Sequence, residues 1–147
     1  MTGEFDQAAM AELGTRLAAQ LCAGDVIGLS GDLGAGKTTL ARAILAALGL
    51  AGEAPSPTFA IVQPYDVPDV RLPVAHVDLY RLDDPDDVHE LGLEDYADGG
   101  ALLIEWPERL PAGTWPELLL LRLEGTGTTR RLTAKVPAAW EGRWPPR

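Results

Sequence analysis

Residues 31 to 39 read Gly31-Asp32-Leu33-Gly34-Ala35-Gly36-Lys37-Thr38-Thr39, a complete G-x-x-x-x-G-K-[ST] phosphate loop set between an apolar run (Val26 to Leu29) and a helix-forming stretch. The chemistry is recognition of a nucleoside triphosphate with Mg²⁺. Glycines let the backbone turn so that its N–H groups point inward, and the following helix adds its positive N-terminal end. Lys37 would reach the β- and γ-phosphates, and Thr38 would ligate Mg²⁺. A chance Gly-rich turn has no need of lysine. This chain has two lysines against ten arginines, and one of the two falls at the motif's lysine position. A compact ammonium fits a cage of backbone N–H groups that a planar guanidinium would overfill.

Such a loop needs an acidic residue at the end of a neighbouring strand for Mg²⁺, and often another polar group for the attacking water. Asp78 and Glu105 both close apolar segments, and in open α/β sheets ligands gather at the C-terminal ends of strands. Position alone also allows each to be an ordinary surface carboxylate. Ser56-Pro57-Thr58-Phe59 follows the first helix after the loop, where nucleotide switches place a γ-phosphate-sensing threonine; it reads equally as a Pro-rich turn into a strand. Trp106 is either an aromatic beside the nucleotide or a core residue closing its strand. Arg81 could supply charge to the reaction or pair with Asp83 or Asp86. The guanine-reading N/T-K-x-D element is missing, since the second lysine lies in Ala134-Lys135-Val136-Pro137, which favours ATP over GTP.

These residues must be held by a scaffold. At 147 residues the chain suits one domain, burying about 68–70% of its unfolded surface. Met10, Leu13, Leu17 and Leu21 predict a helix over 7–22 with Asp6 as N-cap, a Phe5–Met10 staple and Gly24 as stop. Asp25 to Ser30 is the strand feeding the loop, and the next helix buries Leu40, Ile44 and Leu48 before Gly49. Thr58 to Gln63 and Val74 to Tyr80 read as strands around a turn at Val67-Pro68-Asp69. Asp83 to Asp87 reads as a solvated helix start, since carboxylates favour a helix N-terminus. Ala101 to Ile104 is a central strand ending in Glu105. Leu118 to Glu124 and Arg130 to Val136 form a hairpin around Gly125-Thr126-Gly127-Thr128. The expected fold is α/β: a single P-loop NTPase domain over 1–147, with a mixed sheet flanked by helices. Residues 137–147, with Trp140 and Trp144, are either a loose tail or docked by the tryptophans, and residues 1–6 receive no element beyond the Asp6 cap.

A net charge of −10 argues against direct, electrostatically driven binding of nucleic acid or an anionic membrane. Cys22, the only cysteine, permits no intrachain disulfide and reads as a small core residue; with only His76 and His89 there is no convincing zinc set. The acidic N-terminus and the lack of a membrane-length apolar run point to the cytosol.

Taken together, the phosphate loop, Ser56-Pro57-Thr58-Phe59, His76-Val77-Asp78-Leu79-Tyr80-Arg81 and Ile104-Glu105-Trp106-Pro107 resemble the TsaE (YjeE) family in order, spacing and overall length, from about residue 12 to 135. The resemblance implies a bacterial ATPase required for threonylcarbamoyl modification of the adenosine beside the anticodon in tRNAs reading codons that start with A. It implies ATP and Mg²⁺ as ligands and the TsaD and TsaB proteins as partners, with tRNA reached only through them. By motif position it implies Lys37 and Thr38 as phosphate and Mg²⁺ groups, Glu105 as a second Mg²⁺ carboxylate and Asp78 as the acidic residue of hydrolysis. Thr58 becomes the switch-like threonine, and Trp106 the tryptophan beside the nucleotide. Arg130 or Arg131 would match a C-terminal arginine near it. Two other classes use the same loop: a small-molecule kinase, which would need an Arg-bearing lid where the segment after Glu105 is Pro-rich and then β-like, and a module that holds nucleotide without turnover.

Overall fold

The structure is a computed structural model describing residues 2–32, 34–52, 61–125 and 129–146. Leu33, the segment 53–60 that carries Thr58, and residues 126–128, where the sequence predicts a turn, lie outside the described residues. Seven strands form one sheet in the order β1-β7-β6-β2-β5-β4-β3. They are β1 (Thr2–Asp6), β2 (Val26–Ser30), β3 (Val62–Tyr65), β4 (Val74–Asp78), β5 (Ala101–Glu105), β6 (Leu119–Glu124) and β7 (Thr129–Lys135). β6, β2, β5 and β4 run parallel, and antiparallel pairs close both sides, β3 on β4 and β7 between β6 and β1. The sheet is therefore mixed, as the sequence predicts.

Helix α1 (Gln7–Gln20) and helix α2 (Lys37–Ala47) pack together on one face. Asp6 caps α1 by accepting the Ala9 N–H at 2.8 Å, and Phe5 packs on the cluster that holds Met10, as a staple requires. Met10, Leu17, Leu40 and Ile44 meet Ile27, Leu29 and Leu103 from the sheet. The short helices α3 (Pro85–His89) and α4 (Leu93–Ala97) serve the other face, where Val88 and Leu93 meet Val26, Val77, Leu102 and Ile104. Consecutive residues of β5 thus enter opposite cores, which is why the segment reads as an unbroken apolar run. Asp84 caps α3 through the Asp86 N–H, in line with the predicted helix start.

Several expectations shift. β1 is a strand where the sequence assigns none; it pairs with β7 from Thr2↔Thr133 to Asp6↔Thr129. α1 stops at Gln20 rather than residue 22, because Leu21 turns extended and takes the last buried position. Cys22 is exposed, not a core residue: its N–H is held by Asp25 Oδ2 at 2.7 Å, so the chain turns outward there. β4 ends at Asp78 instead of Tyr80, since the Asp78 carboxylate accepts the Tyr80 N–H at 2.9 Å and bends the chain off the ladder. β3 starts at Val62, directly after Ile61 at φ +62°, and carries Pro64 on the sheet edge, where a missing donor is tolerated.

In the C-terminal segment Trp140 is fully buried. Arg143 stacks on its ring at 3.9 Å and grips Asp25 with two bonds of 2.7 and 3.0 Å. That pairing holds the Arg143 pKa above the ordinary guanidinium value. Among the described residues no helix is long and apolar enough to cross a membrane.

Candidate functional site

The site lies where β2, β5 and β4 end together. Parallel register puts Leu29, next to last in β2, beside Glu105, and Glu105 beside Asp78, so the C-terminal ends of three neighbouring strands share one edge of the sheet. The chain leaving β2 must turn at once into α2. Gly31, Gly34 and Gly36 all sit at positive φ, a region costly for other residues. Gly31 has a second constraint, because a Cβ there would collide with the Leu123 carbonyl of β6.

Within this turn Lys37 is 5% exposed and folds its ammonium back over the loop, donating to the Gly31 and Asp32 carbonyls at 2.6 and 2.8 Å. Its Nζ lies 4.5 Å from the centroid of the Trp106 ring. Burial pushes the Lys37 pKa down, and the carboxylates of Glu105 and Asp78 oppose that shift. Thr38, one residue on, donates its hydroxyl to Glu105, 2.8 Å from Oε1 and 3.0 Å from Oε2. The predicted lysine, threonine and carboxylate are therefore one hydrogen-bonded and electrostatic unit. Both Glu105, at 2% exposure, and Asp78 are buried rather than surface carboxylates.

Trp106 holds φ +62°, strained for a residue with a Cβ, and its N–H still reaches the Leu29 carbonyl at 3.2 Å. This turn lays the indole along the site, where Tyr80 packs on it at 4.9 Å between ring centroids. Gly34, Gly36, Lys37, Thr38, Thr39, Asp78, Glu105 and Trp106 line one cleft of about 320 Å³, joined by Tyr80, Arg81 and Arg130. Ala35 is buried behind it. A larger cavity of about 820 Å³ shares Gly36, Thr39 and Arg130 and opens toward Phe5, Asp6 and Gln7 at the β1–α1 junction.

Two residues of the site escape local sequence reasoning. Arg130 of β7 donates to the Ala35 and Gly34 carbonyls at 3.1 and 3.2 Å, clasping the phosphate loop from a strand far away in sequence. Alternation along the strand decides between the two adjacent arginines, for Arg131 stands in register with Glu4 and Glu124. His76 is fully buried in β4, with Nε2 2.7 Å from Glu105 Oε2. Its signal was its place two residues before Asp78, on the same face of the strand. Among the described residues no group of three or more His, Cys, Asp and Glu side chains is placed to hold a metal.

Comparison with known proteins matches residues 5–133 to the family described as "Threonylcarbamoyl adenosine biosynthesis protein TsaE". The tRNA threonylcarbamoyladenosine biosynthesis protein TsaE of Synechocystis is 47% identical over 103 residues, covering 67% of this chain and 64% of that protein, just under two thirds of its length. The protein of the same name from Streptomyces coelicolor is 40% identical over 116 residues, 78% of each chain. Among solved structures, that of Bacillus subtilis YdiB superposes with a TM-score of 0.74 at 30% identity, covering 97% of this chain and 89% of that one.

Proposed function

Since this chain belongs to the TsaE family, we propose that it is a Mg²⁺-dependent ATPase that acts with TsaD and TsaB in threonylcarbamoyl modification of the adenosine beside the anticodon. The substrate tRNAs are those reading codons that start with A. The observation that carries the ATPase reading is the Thr38 hydroxyl 2.8 Å from the buried Glu105 carboxylate, beside a Lys37 ammonium folded onto the phosphate loop. A hydroxyl and a carboxylate are hard oxygen donors, the set that suits Mg²⁺ when phosphate oxygens complete it. In this reading Thr38 and Glu105 hold the ion, which when bound offsets charge on the phosphates. The loop from Gly31 through Asp32, Leu33, Gly34, Ala35 and Gly36 to Thr39 cradles the phosphates with Lys37. Asp78 orients the attacking water, Trp106 flanks the nucleotide, and Thr58 senses the γ-phosphate from its motif position. Arg130 keeps the loop in shape, and the cavity of about 820 Å³ that shares its Gly36 and Thr39 edge offers room for ribose and base.

The TsaD and TsaB proteins would hold the tRNA, in keeping with the −10 charge of this chain, and the expected compartment is the cytosol. ATP turnover, measured for the chain alone and with the complex of TsaB and TsaD, tests the reading. Mg²⁺-dependent release of ADP and phosphate, faster with the complex present, is expected. No binding or turnover of ATP in either setting would reject it.

A further inference from the structure

We propose that His76 is a positioning residue for the metal site, acting through Glu105 without touching nucleotide; this rests on the reading of Glu105 as a metal ligand. Glu105 has three rotatable side-chain bonds and sits at the end of its strand, so the backbone alone does not aim its carboxylate. Two side chains do. Thr38 holds both oxygens from the cleft side, and His76 Nε2 holds Oε2 at 2.7 Å from the neighbouring strand β4. A carboxylate only accepts hydrogen bonds, so the ring hydrogen is on Nε2. Nδ1 is buried without a partner among the described residues. His76 is fully buried and lines neither cavity at the loop, which separates it from groups that would meet the ligand.

The arrangement parallels the outer partners that orient metal-binding side chains, whose loss lowers metal affinity about 10–100-fold. The imidazole N–H orients the oxygen and leaves its remaining lone pairs to Thr38 and the ion.

Calorimetric titration with the ATP analogue AMP-PNP, with and without MgCl₂, tests this. In His76→Leu the Mg²⁺-linked gain in AMP-PNP affinity falls about tenfold, while affinity without metal stays within about twofold. His76→Gln, whose amide nitrogen can reach Glu105, recovers most of the gain. In a Glu105→Gln background, His76→Leu adds little. Should His76→Leu fail to fold, His76→Asn, polar but too short to reach Glu105, takes its place with the same expectation. A full Mg²⁺-linked gain in the folded variant would overturn the proposal. So would an equal loss with and without metal, or an undiminished loss in the Glu105→Gln background. If the unsubstituted chain binds AMP-PNP with no Mg²⁺-linked gain, the ATPase reading itself fails, and this proposal with it.

Discussion

Glu105 has almost no contact with water, so its carboxylate depends on Thr38, His76 and the charge of Lys37 to stay where it is. Replacing it by Gln removes the negative charge and turns one acceptor oxygen into an N–H₂ donor. ATP turnover by Glu105→Gln should fall at least about a hundredfold, the scale of losing one group that meets developing charge. Metal-free nucleotide affinity should move much less. Asp78→Asn should behave alike, because Asp78 stands in register with Glu105 on the same cleft. Steady-state kinetics at saturating Mg²⁺ checks this, and wild-type rates in both variants would remove the carboxylates from the chemistry. Lys37, Thr38, Asp78 and Glu105 were legible in the sequence because a contiguous motif or a strand end marks each. His76 was not, since a histidine inside a buried strand looks the same whether it fills space or holds a carboxylate. Arg130 depends on the register of a distant strand, which no local pattern encodes.

Among the elements, those whose signal is local were the easiest to read. α1 and α2 follow apolar stripes with a cap or a glycine at their ends, and β5 is an apolar run of strand length. β1 escaped because Thr-Gly-Glu-Phe-Asp has no apolar alternation and is a strand only through its pairing with β7. The C-terminal segment likewise takes its place from a distant partner, through the two-bond grip of Arg143 on Asp25. Asp25 also holds the Cys22 N–H, so it ties the end of α1, the start of β2 and the C-terminal turn together. Asp25→Ala should lower unfolding stability by about 2 kcal/mol, as expected for losing hydrogen bonds to a charged group. Arg143→Ala should cost a similar amount, and the double variant little more than either. Urea denaturation measures all three, and strictly additive losses would show that the pair is not coupled.

For the molecule as a whole, charge and site point to different ligands. With 12 Lys and Arg against 22 Asp and Glu, an acidic chain is poorly suited to displace the counterions condensed on RNA. The isolated chain should bind bare tRNA only weakly, with Kd above about 100 µM at physiological salt. Filter binding across a salt series checks this, and tight association would require a tRNA surface on this chain itself. Lys37, Arg81, Arg130 and the loop glycines Gly34 and Gly36 instead meet in one cleft at the ends of the parallel strands, where the proposed function puts the triphosphate. If this loop is a working triphosphate site, its affinity for ATP depends on Lys37. Calorimetric titration of the chain and of Lys37→Ala with ATP and Mg²⁺ decides this. Saturable binding by the unsubstituted chain is expected, with a loss of at least about tenfold in the variant, the cost of removing a charged hydrogen-bonding partner; unchanged affinity after removing Lys37 would take the triphosphate away from this loop.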